Sequence, residues 1–243
     1  MKRDKVVNRK VLLWLLVAAV LAVLVAHQTL RSSAAKHAEV AARPDVPTLR
    51  PGTDVLGGVA VLPQRVRRYD YRRPAFGDAW DDVNDAPLGY NGCDTRNDIL
   101  NRDLVDKTYV STKRCPNAVA TGTLHDPYTN ATIAFRRGAK VGESVQIDHL
   151  VPLAYAWDMG AYGWTLPERM RFANDPANLL AVAGQANQDK ADLPPAQWMP
   201  PNAAFACQYA MQFIAVLRGY GLPVDEPSAA VLRKAAQTCP KSA

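Results

Sequence analysis

The chain has 243 residues, of which 48% are hydrophobic and 21% are charged, enough to form one medium-sized domain with its own core and some accessory segments. Its formal net charge of +6 is concentrated at the N-terminus, where five basic side chains and Asp4 give +4 within the first ten residues. The rest of the chain has a net charge of only about +2, so its overall charge does not indicate nucleic-acid binding.

The first thirty residues have the pattern of a membrane segment. A basic head, residues 1–10, precedes an uncharged run from Val11 to Ala26. As a helix this run would be ~24 Å long, and continuing it to Leu30 brings it to the ~30 Å of a bilayer core. We predict a single transmembrane anchor at residues 11–30 with its basic end inside, so that the rest of the chain is extracytoplasmic. A cleaved signal peptide followed by secretion is the alternative.

Residues 31–88 show no sustained periodicity and are predicted to form a tether. The segment is rich in proline, alanine and arginine, and its arginines alternate with tyrosines between Arg65 and Arg73. A basic and aromatic stretch of this kind can contact a nucleic-acid backbone or anionic head groups. A solvated linker surface is the competing interpretation.

A folded α+β domain is predicted at residues 89–243. Asp94 or Thr95 can cap a first helix whose apolar side carries Ile99, Leu100, Leu104 and Val105. Hydrophobic periodicity and turn residues give the other elements. These are strands at 121–124, 132–135, 145–147 and 178–182, helices at 153–159, 167–173, 203–218 and 227–238, and a short helix after Gly184 that carries Asn187 and Lys190.

Four cysteines are compatible with an oxidising compartment. An even number of cysteines in an exported chain indicates two disulfides, and four residues allow three pairings. We favour Cys93–Cys115 with Cys207–Cys239, because each of these pairs closes a local loop. The sequence contains no Cys-x-x-Cys pair, which argues against a zinc ribbon.

An ordered set of polar residues lies between Gln146 and Lys190. Asp148 and His149 are adjacent at the end of a predicted strand, Asn178 opens the next strand, and Asn187 and Lys190 lie three residues apart on one face of a helix. Neighbouring side chains on a strand point to opposite faces. Asp148 and His149 would therefore lie on different sides of one phosphate, which suits in-line hydrolysis of a phosphodiester.

Each of these residue types has a role in such a reaction. A carboxylate and an amide oxygen, from Asp148 and Asn187, suit one Mg²⁺ ion, with Mn²⁺ as an alternative. His149 can accept a proton near neutral pH, and the Asn178 side-chain oxygen could hold its opposite ring nitrogen. Lys190 would contact a phosphate oxygen as a point charge.

The order Ile147-Asp148-His149-Leu150-Val151-Pro152, Asn178-Leu179-Leu180 and Asn187-x-x-Lys190 resembles the HNH (ββα-metal) nuclease motif, in the variant with Asn in place of the final His. More widely, Cys93 to Cys239 resembles exported actinobacterial HNH-family proteins related to the C-terminal domain of GmrSD-type restriction endonucleases. Shared segments include Cys93-Asp94-Thr95-Arg96-Asn97, Asp126-Pro127-Tyr128-Thr129 and Trp198-Met199-Pro200-Pro201-Asn202.

The resemblance implies an HNH ββα-metal motif with an added hairpin and flanking helices. It implies that His149 is the general base, that Asp148 and Asn187 bind the metal, and that Asn178 supports the histidine. The predicted function is an exported, membrane-anchored, metal-dependent endonuclease acting on nucleic acid, with DNA favoured over RNA and no protein partner expected. One alternative is a non-enzymatic, membrane-tethered module that binds DNA or envelope polymers. Another is a metallohydrolase acting on a different phosphoester or on a cell-wall substrate.

Overall fold

The architecture of the chain was obtained as a computed structural model, which describes residues 46–138 and 144–241. The basic head and the anchor predicted at residues 1–30, and residues 31–45 of the predicted tether, lie outside these ranges. Among the residues described, no helix is both long and apolar enough to cross a bilayer.

The described chain is a mixture of helices and strands, as the α+β prediction requires. The helices are α1 (Thr95–Asp103), α2 (Leu153–Asp158), α3 (Leu166–Asn174), α4 (Gly184–Lys190), α5 (Ala206–Gly219) and α6 (Glu226–Ala236). The strands are β1 (Val61–Leu62), β2 (Leu104–Thr112), β3 (Cys115–His125), β4 (Thr132–Arg136), β5 (Val145–His149), β6 (Leu179–Ala183) and β7 (Val224–Asp225).

Side-chain caps set the start of two helices. The Asp94 carboxylate accepts the backbone N–H of Asn97 and begins α1, as the sequence predicted. Thr165 and Glu168 form a capping box at α3, where each side chain satisfies a backbone N–H of the other residue. These local bonds explain why both helices lie within a few residues of their predicted positions.

The strands described form three small sheets. Strands β2, β3 and β4 make an antiparallel sheet, β5 pairs antiparallel with β6, and β1 pairs parallel with β7. In the β5–β6 pair Asp148 lies opposite Leu180 and His149 opposite Leu179. Helix α4 follows β6 directly, so the predicted strand, strand and helix that carry the polar residues are present.

Strand β2 corrects the predicted first helix. Leu104 and Val105 were assigned to its apolar face, but α1 ends at Asp103 and Leu104 begins a nine-residue strand. Leu104 is buried and packs closely on Gly122 of β3, where a Cβ atom would lie 3.0 Å from the leucine side chain. Pairing with β3 therefore overrides the helical pattern at this point.

Two clusters of buried side chains form the core. The larger surrounds α5 and includes Phe213, Ile214 and Leu217, with Leu232 from α6. The smaller lies under α1 and joins it to β3, β5 and β6. Strand β5 contributes Val145 and Ile147 to the smaller cluster, whereas Leu150 and Val151, directly after it, belong to the larger cluster, so the end of β5 is held on two sides.

Residues 47–88, which were predicted to lie in the tether, instead belong to the same compact unit as the rest of the domain. Val55, Leu56, Val59 and Phe76 are buried in the larger core cluster, and β1 pairs with β7 near the C-terminus. This segment consists mainly of turns and bends, and its apolar side chains enter the core one or two at a time. It therefore has no periodicity for a sequence pattern to detect.

Arg65 also departs from the expected exposed basic stretch. Its guanidinium donates to Asp158 at 2.7 Å and to Asp192 at 2.8 Å, and only 8% of its side chain is exposed. Arg65 thus fastens residues near the start of the unit to the body of the domain.

Both predicted disulfides are confirmed: Cys93 pairs with Cys115 and Cys207 with Cys239. The first joins the start of α1 to β3, and the second joins α5 to the segment that follows α6. No cysteine is free in the part of the chain described, as expected for a protein that folds in an oxidising compartment.

Candidate active site

Strand β5 ends in a cavity of about 600 Å³. Three of the five predicted site residues line it: Asp148 and His149 from β5 and Asn187 from α4. Three further side chains on its wall are Arg73, Trp80 and Arg96. The first two of these belong to the segment predicted as a tether, so that segment forms part of the site.

The imidazole of His149 is held in one orientation. Its Nε2 donates to the carbonyl oxygen of Ala173 at 2.8 Å, and the indole of Trp80 stacks on it with the ring centres 5.4 Å apart and the planes 11° from parallel. Ala173 lies in the last turn of α3, where carbonyl groups lack a partner within the helix. Because Nε2 carries the proton, Nδ1 is the proton acceptor of the neutral ring.

Burial keeps this imidazole neutral. The ring is removed from solvent, which lowers the pKa of His149 to about 3, and the positive charges of Arg73 and Lys190 act in the same direction. The hydrogen bond to Ala173 opposes the shift but does not cancel it. The residue is therefore unprotonated at neutral pH, but the lowered pKa also makes it a weaker base than the imidazole that the sequence predicted to accept a proton near neutral pH.

Asp148 is buried and both of its carboxylate oxygens have partners. The ammonium of Lys190 lies 3.0 Å from Oδ1 and 2.9 Å from Oδ2, and the Tyr128 hydroxyl donates to Oδ2 at 2.5 Å. Burial raises the pKa of Asp148, whereas Lys190 and Tyr128 lower it. The ion pair is the arrangement that a buried carboxylate requires.

Lys190 does not lie where the sequence suggested. It was predicted to contact a phosphate from a helix surface, but its side chain is fully buried and donates to Asp148 and to the backbone carbonyl of His149, the latter at 2.7 Å. Burial lowers the pKa of Lys190 and the neighbouring Asp148 raises it. Helix α4 turns this side chain inward because its ammonium satisfies two buried acceptors at the end of β5.

Asn178 supports the site through the backbone, not through the imidazole. Its side-chain oxygen was expected to hold the ring of His149, but it accepts the N–H of Val151 at 2.9 Å, while its amide nitrogen donates to the Val151 carbonyl at 3.2 Å. Its own carbonyl accepts the N–H of Leu150. Asn178 thus fixes the turn that follows His149. The hydrogen bond to the imidazole ring is formed by the carbonyl oxygen of Ala173.

Asn187 and Asp148 both line the cavity. The Asn187 amide nitrogen donates to Gln146 Oε1 at 2.7 Å, and its side-chain oxygen has no hydrogen-bond donor among residues 46–138 and 144–241. Gln146 and Asp148 are two residues apart on β5 and therefore point to the same face of the strand. The Asn187 oxygen and the Asp148 carboxylate thus belong to one side of the site.

These oxygens suit a hard cation that keeps most of its water. Mg²⁺ is commonly bound through one or two carboxylates, whereas zinc sites use several histidine or cysteine ligands. In residues 46–138 and 144–241 no three His, Cys, Asp or Glu side chains are grouped closely enough to hold a metal ion. A divalent cation here would be held by the Asp148 carboxylate and the Asn187 amide oxygen, and it would share the carboxylate with Lys190.

Sequence reasoning missed Trp80, Tyr128 and Arg73 as parts of the site. Tyr128 lies in the turn after β3, within the Asp-Pro-Tyr-Thr segment, and is fully buried. Arg73 ends the basic and aromatic stretch that was considered for nucleic-acid contact. No pattern identified Trp80, because its contact with His149 joins residues 69 positions apart.

A family model described as the C-terminal domain of GmrSD restriction endonucleases matches residues 94–235. An uncharacterized secreted protein of Arthroderma benhamiae is 33% identical over 204 residues, which cover 83% of this chain and 91% of the relative. That match is long enough to include residues that precede position 94. No solved structure matches the chain.

Proposed function

Because the chain belongs to the family of the C-terminal domain of GmrSD restriction endonucleases, we propose that it is a metal-dependent endonuclease of the HNH type that hydrolyses phosphodiester bonds of nucleic acid outside the cytoplasm. The observation that carries the proposal is the neutral, fixed imidazole of His149 beside Asp148 and Asn187 in one cavity.

The assigned roles follow from the contacts. His149 Nδ1 would take the proton of the attacking water, since Nε2 is already bonded to Ala173. Trp80 and Ala173 hold the ring, and Asn178 holds the turn after it. Asp148 and Asn187 would bind one divalent cation, Mg²⁺ or Mn²⁺, which would stabilise negative charge on the phosphate when bound.

Lys190 has a supporting role in this proposal. It neutralises the Asp148 carboxylate and so makes its burial possible in the absence of a cation. A bound cation would share that carboxylate with the ammonium, because both oxygens already have partners. We therefore expect weak metal binding, at millimolar rather than nanomolar concentrations.

The extracytoplasmic location is supported by the secreted relative and by the two disulfides. Attachment to the membrane through residues 11–30, and a preference for DNA over RNA, remain part of the proposal. The preference is tested by offering plasmid DNA and a transcript of equal length to the same preparation.

The direct test is cleavage by the purified protein. Supercoiled plasmid is incubated with Mg²⁺ or Mn²⁺, and the products are compared with those of His149→Ala and of a preparation in EDTA. We expect nicking that depends on both the metal and His149. Equal nicking by the wild type and His149→Ala, or none with either metal, would overturn the proposal.

The same assays separate the two alternatives. A non-enzymatic binding module would retain nucleic acid without cleaving it and would bind equally well after His149→Ala. A hydrolase for other phosphoesters would release nitrophenol from bis-p-nitrophenyl phosphate and leave both polynucleotides intact.

A further inference from the structure

We propose that Arg73 and Arg96 form a phosphate-binding pair on the wall of the His149 cavity, and that they hold the backbone of the polynucleotide substrate. This inference rests on the proposed function, because it names how the same site grips its substrate. It also assigns a binding role to Arg73, which precedes the residues matched by the family model.

The charges around the cavity leave these two arginines in excess. The carboxylates on its wall belong to Asp148 and Asp192. Asp148 is paired with Lys190, and Asp192 is paired with Arg65 at 2.8 Å and with Arg67 at 3.1 Å. Each carboxylate therefore already has a cation, and the guanidinium groups of Arg73 and Arg96 add positive charge that no acidic residue on the wall balances.

Arg96 is partly buried without an ionic partner. Its Nη2 donates to the carbonyl of Val145, the first residue of β5, at 3.1 Å, and no ion pair is formed by it within the described residues. Burial lowers the pKa of Arg96, the nearby Arg137 adds to this effect, and the charge of Asp94, which is itself paired with Arg114, opposes it. A guanidinium has five N–H donors, so one bond to the backbone leaves most of its capacity for a ligand.

The side chain of Arg73 is exposed, but its backbone is held in place by the residues that follow it. It begins the short 3-10 helix Arg73–Phe76, and Phe76 is buried against Trp157 and Phe172. Across residues 46–138 and 144–241, the Arg73 side chain has neither a hydrogen bond nor an ion pair. Its positive charge reaches His149, since it contributes to lowering the pKa of that residue.

A phosphate group is the ligand that these two guanidinium groups fit. Guanidinium groups bind phosphate through paired N–H donors, and arginine is the usual choice for such contacts. A phosphodiester backbone carries a negative charge at every nucleotide, so guanidinium groups on the cavity wall can hold phosphates close to the one that is cleaved. The pair would thereby set the position of the strand relative to His149.

The test measures binding separately from cleavage. Fluorescence anisotropy of a labelled 20-base-pair DNA duplex, and of the same single strand, is recorded with the full-length protein in EDTA. The variants are Arg73→Ala and Arg96→Ala, and the control is Arg136→Ala, an exposed arginine of β4 that does not line the cavity. We expect each cavity variant to bind about tenfold more weakly and the control to bind like the wild type.

The salt dependence of binding distinguishes an arginine that contacts a phosphate from one that only supports the fold. The slope of log K against log salt concentration is expected to fall by about one for each arginine that contacts a phosphate. Arg96→Lys guards against loss of folding at the Val145 contact, because it keeps the charge; it should retain the salt slope even if its melting temperature falls.

The outcomes distinguish this inference from the proposed nuclease function. Cleavage that persists while Arg73→Ala and Arg96→Ala bind with unchanged affinity and salt slope overturns the arginine pair alone. Loss of binding in both variants of a protein that cuts no nucleic acid supports the pair and overturns the nuclease. A wild type that binds neither the duplex nor the single strand overturns the pair.

Discussion

At the scale of residues, Asp148 and Lys190 form a buried ion pair. The two charges are almost completely removed from solvent, and the lysine also satisfies the carbonyl of His149. Removing one partner of a buried pair leaves an uncompensated charge, which is more costly than removing both. This pair therefore couples the stability of the domain to the geometry of its site.

Lys190→Met is expected to lower the free energy of unfolding by about 3–5 kcal/mol, because the Asp148 carboxylate would stay buried with only Tyr128 as a partner. The double variant Asp148→Asn/Lys190→Met should recover part of this loss. Urea denaturation followed by tryptophan fluorescence measures both values. A loss below about 1 kcal/mol for Lys190→Met would contradict a buried pair.

Trp80 is expected to act on catalysis by positioning His149. Trp80→Ala removes the stacked indole and should lower kcat by about tenfold, consistent with the ~0.5–1.5 kcal/mol of an aromatic contact, with little change in KM. Trp80→Phe retains a flat ring and should restore most of the rate. Equal rates for Trp80→Ala and the wild type would show that Ala173 alone fixes the imidazole.

At the scale of secondary-structure elements, the N-terminus of α1 collects several carboxylates. Asp94 caps the helix, Asp98 lies in its first turn, and Asp82 is nearby. Burial is the main cause that raises the pKa of Asp98 to about 6, with the charges of Asp82 and Asp94 adding to it and a hydrogen bond from Asn91 opposing it. This end of α1 thus makes the stability of the domain depend on pH.

The sign of the effect follows from the raised pKa. The folded protein binds the Asp98 proton more tightly than the unfolded chain, so this contribution to stability is complete below about pH 4 and is lost as the pH rises through about 6. Asp98→Asn mimics the protonated side chain. We expect it to raise the melting temperature by about 1–2 °C at pH 8 and to leave it unchanged at pH 3.5.

Asp85→Asn provides the matched control, because Asp85 is exposed and its backbone is not in the left-handed region. Differential scanning calorimetry at the two pH values measures both variants. The same rise for Asp98→Asn at pH 3.5 as at pH 8 would contradict a pH-dependent origin.

For the whole molecule, the boundary of the folded unit is the property with the most direct experimental consequence. The sequence placed it at residue 89, whereas Val55, Leu56 and Phe76 are buried in the larger core cluster and β1 pairs with β7. Arg73 and Trp80 are also supplied by this segment. Both the core and the candidate site therefore need residues that precede position 89.

A protein that begins at residue 47 is expected to unfold cooperatively, while one that begins at residue 89 should not. The shorter chain would expose the apolar surface that these side chains cover, and each buried large apolar side chain contributes about 1.5–3 kcal/mol. Near-ultraviolet circular dichroism and thermal melting compare the two. A cooperative transition at the same temperature in both would contradict the role of residues 47–88.

The sequence by itself determined the parts that depend on local chemistry. Asp94 or Thr95 marked the start of α1, where Asp94 is the cap, and hydrophobic periodicity gave α5 and α6. The even number of cysteines indicated two disulfides, and the preference for local loops gave the correct pairs. The order of Asp148, His149, Asn178 and Asn187 indicated both the family and the strands and helix that carry these residues. The cap and the helical periodicity lie within a few turns of chain, whereas the cysteines and the polar residues were recognised from their order along the sequence.

Only the tertiary structure decided which side chains meet. Lys190 is buried against Asp148, and the imidazole of His149 is held by Ala173 and Trp80. The side chain of Asn178 forms its hydrogen bond with Val151. The tertiary structure also brought residues 47–88 into the core and Arg73 to the cavity. These contacts join positions far apart in the chain, and they are selected by the need to satisfy buried polar groups and to fill the core, which no local pattern records.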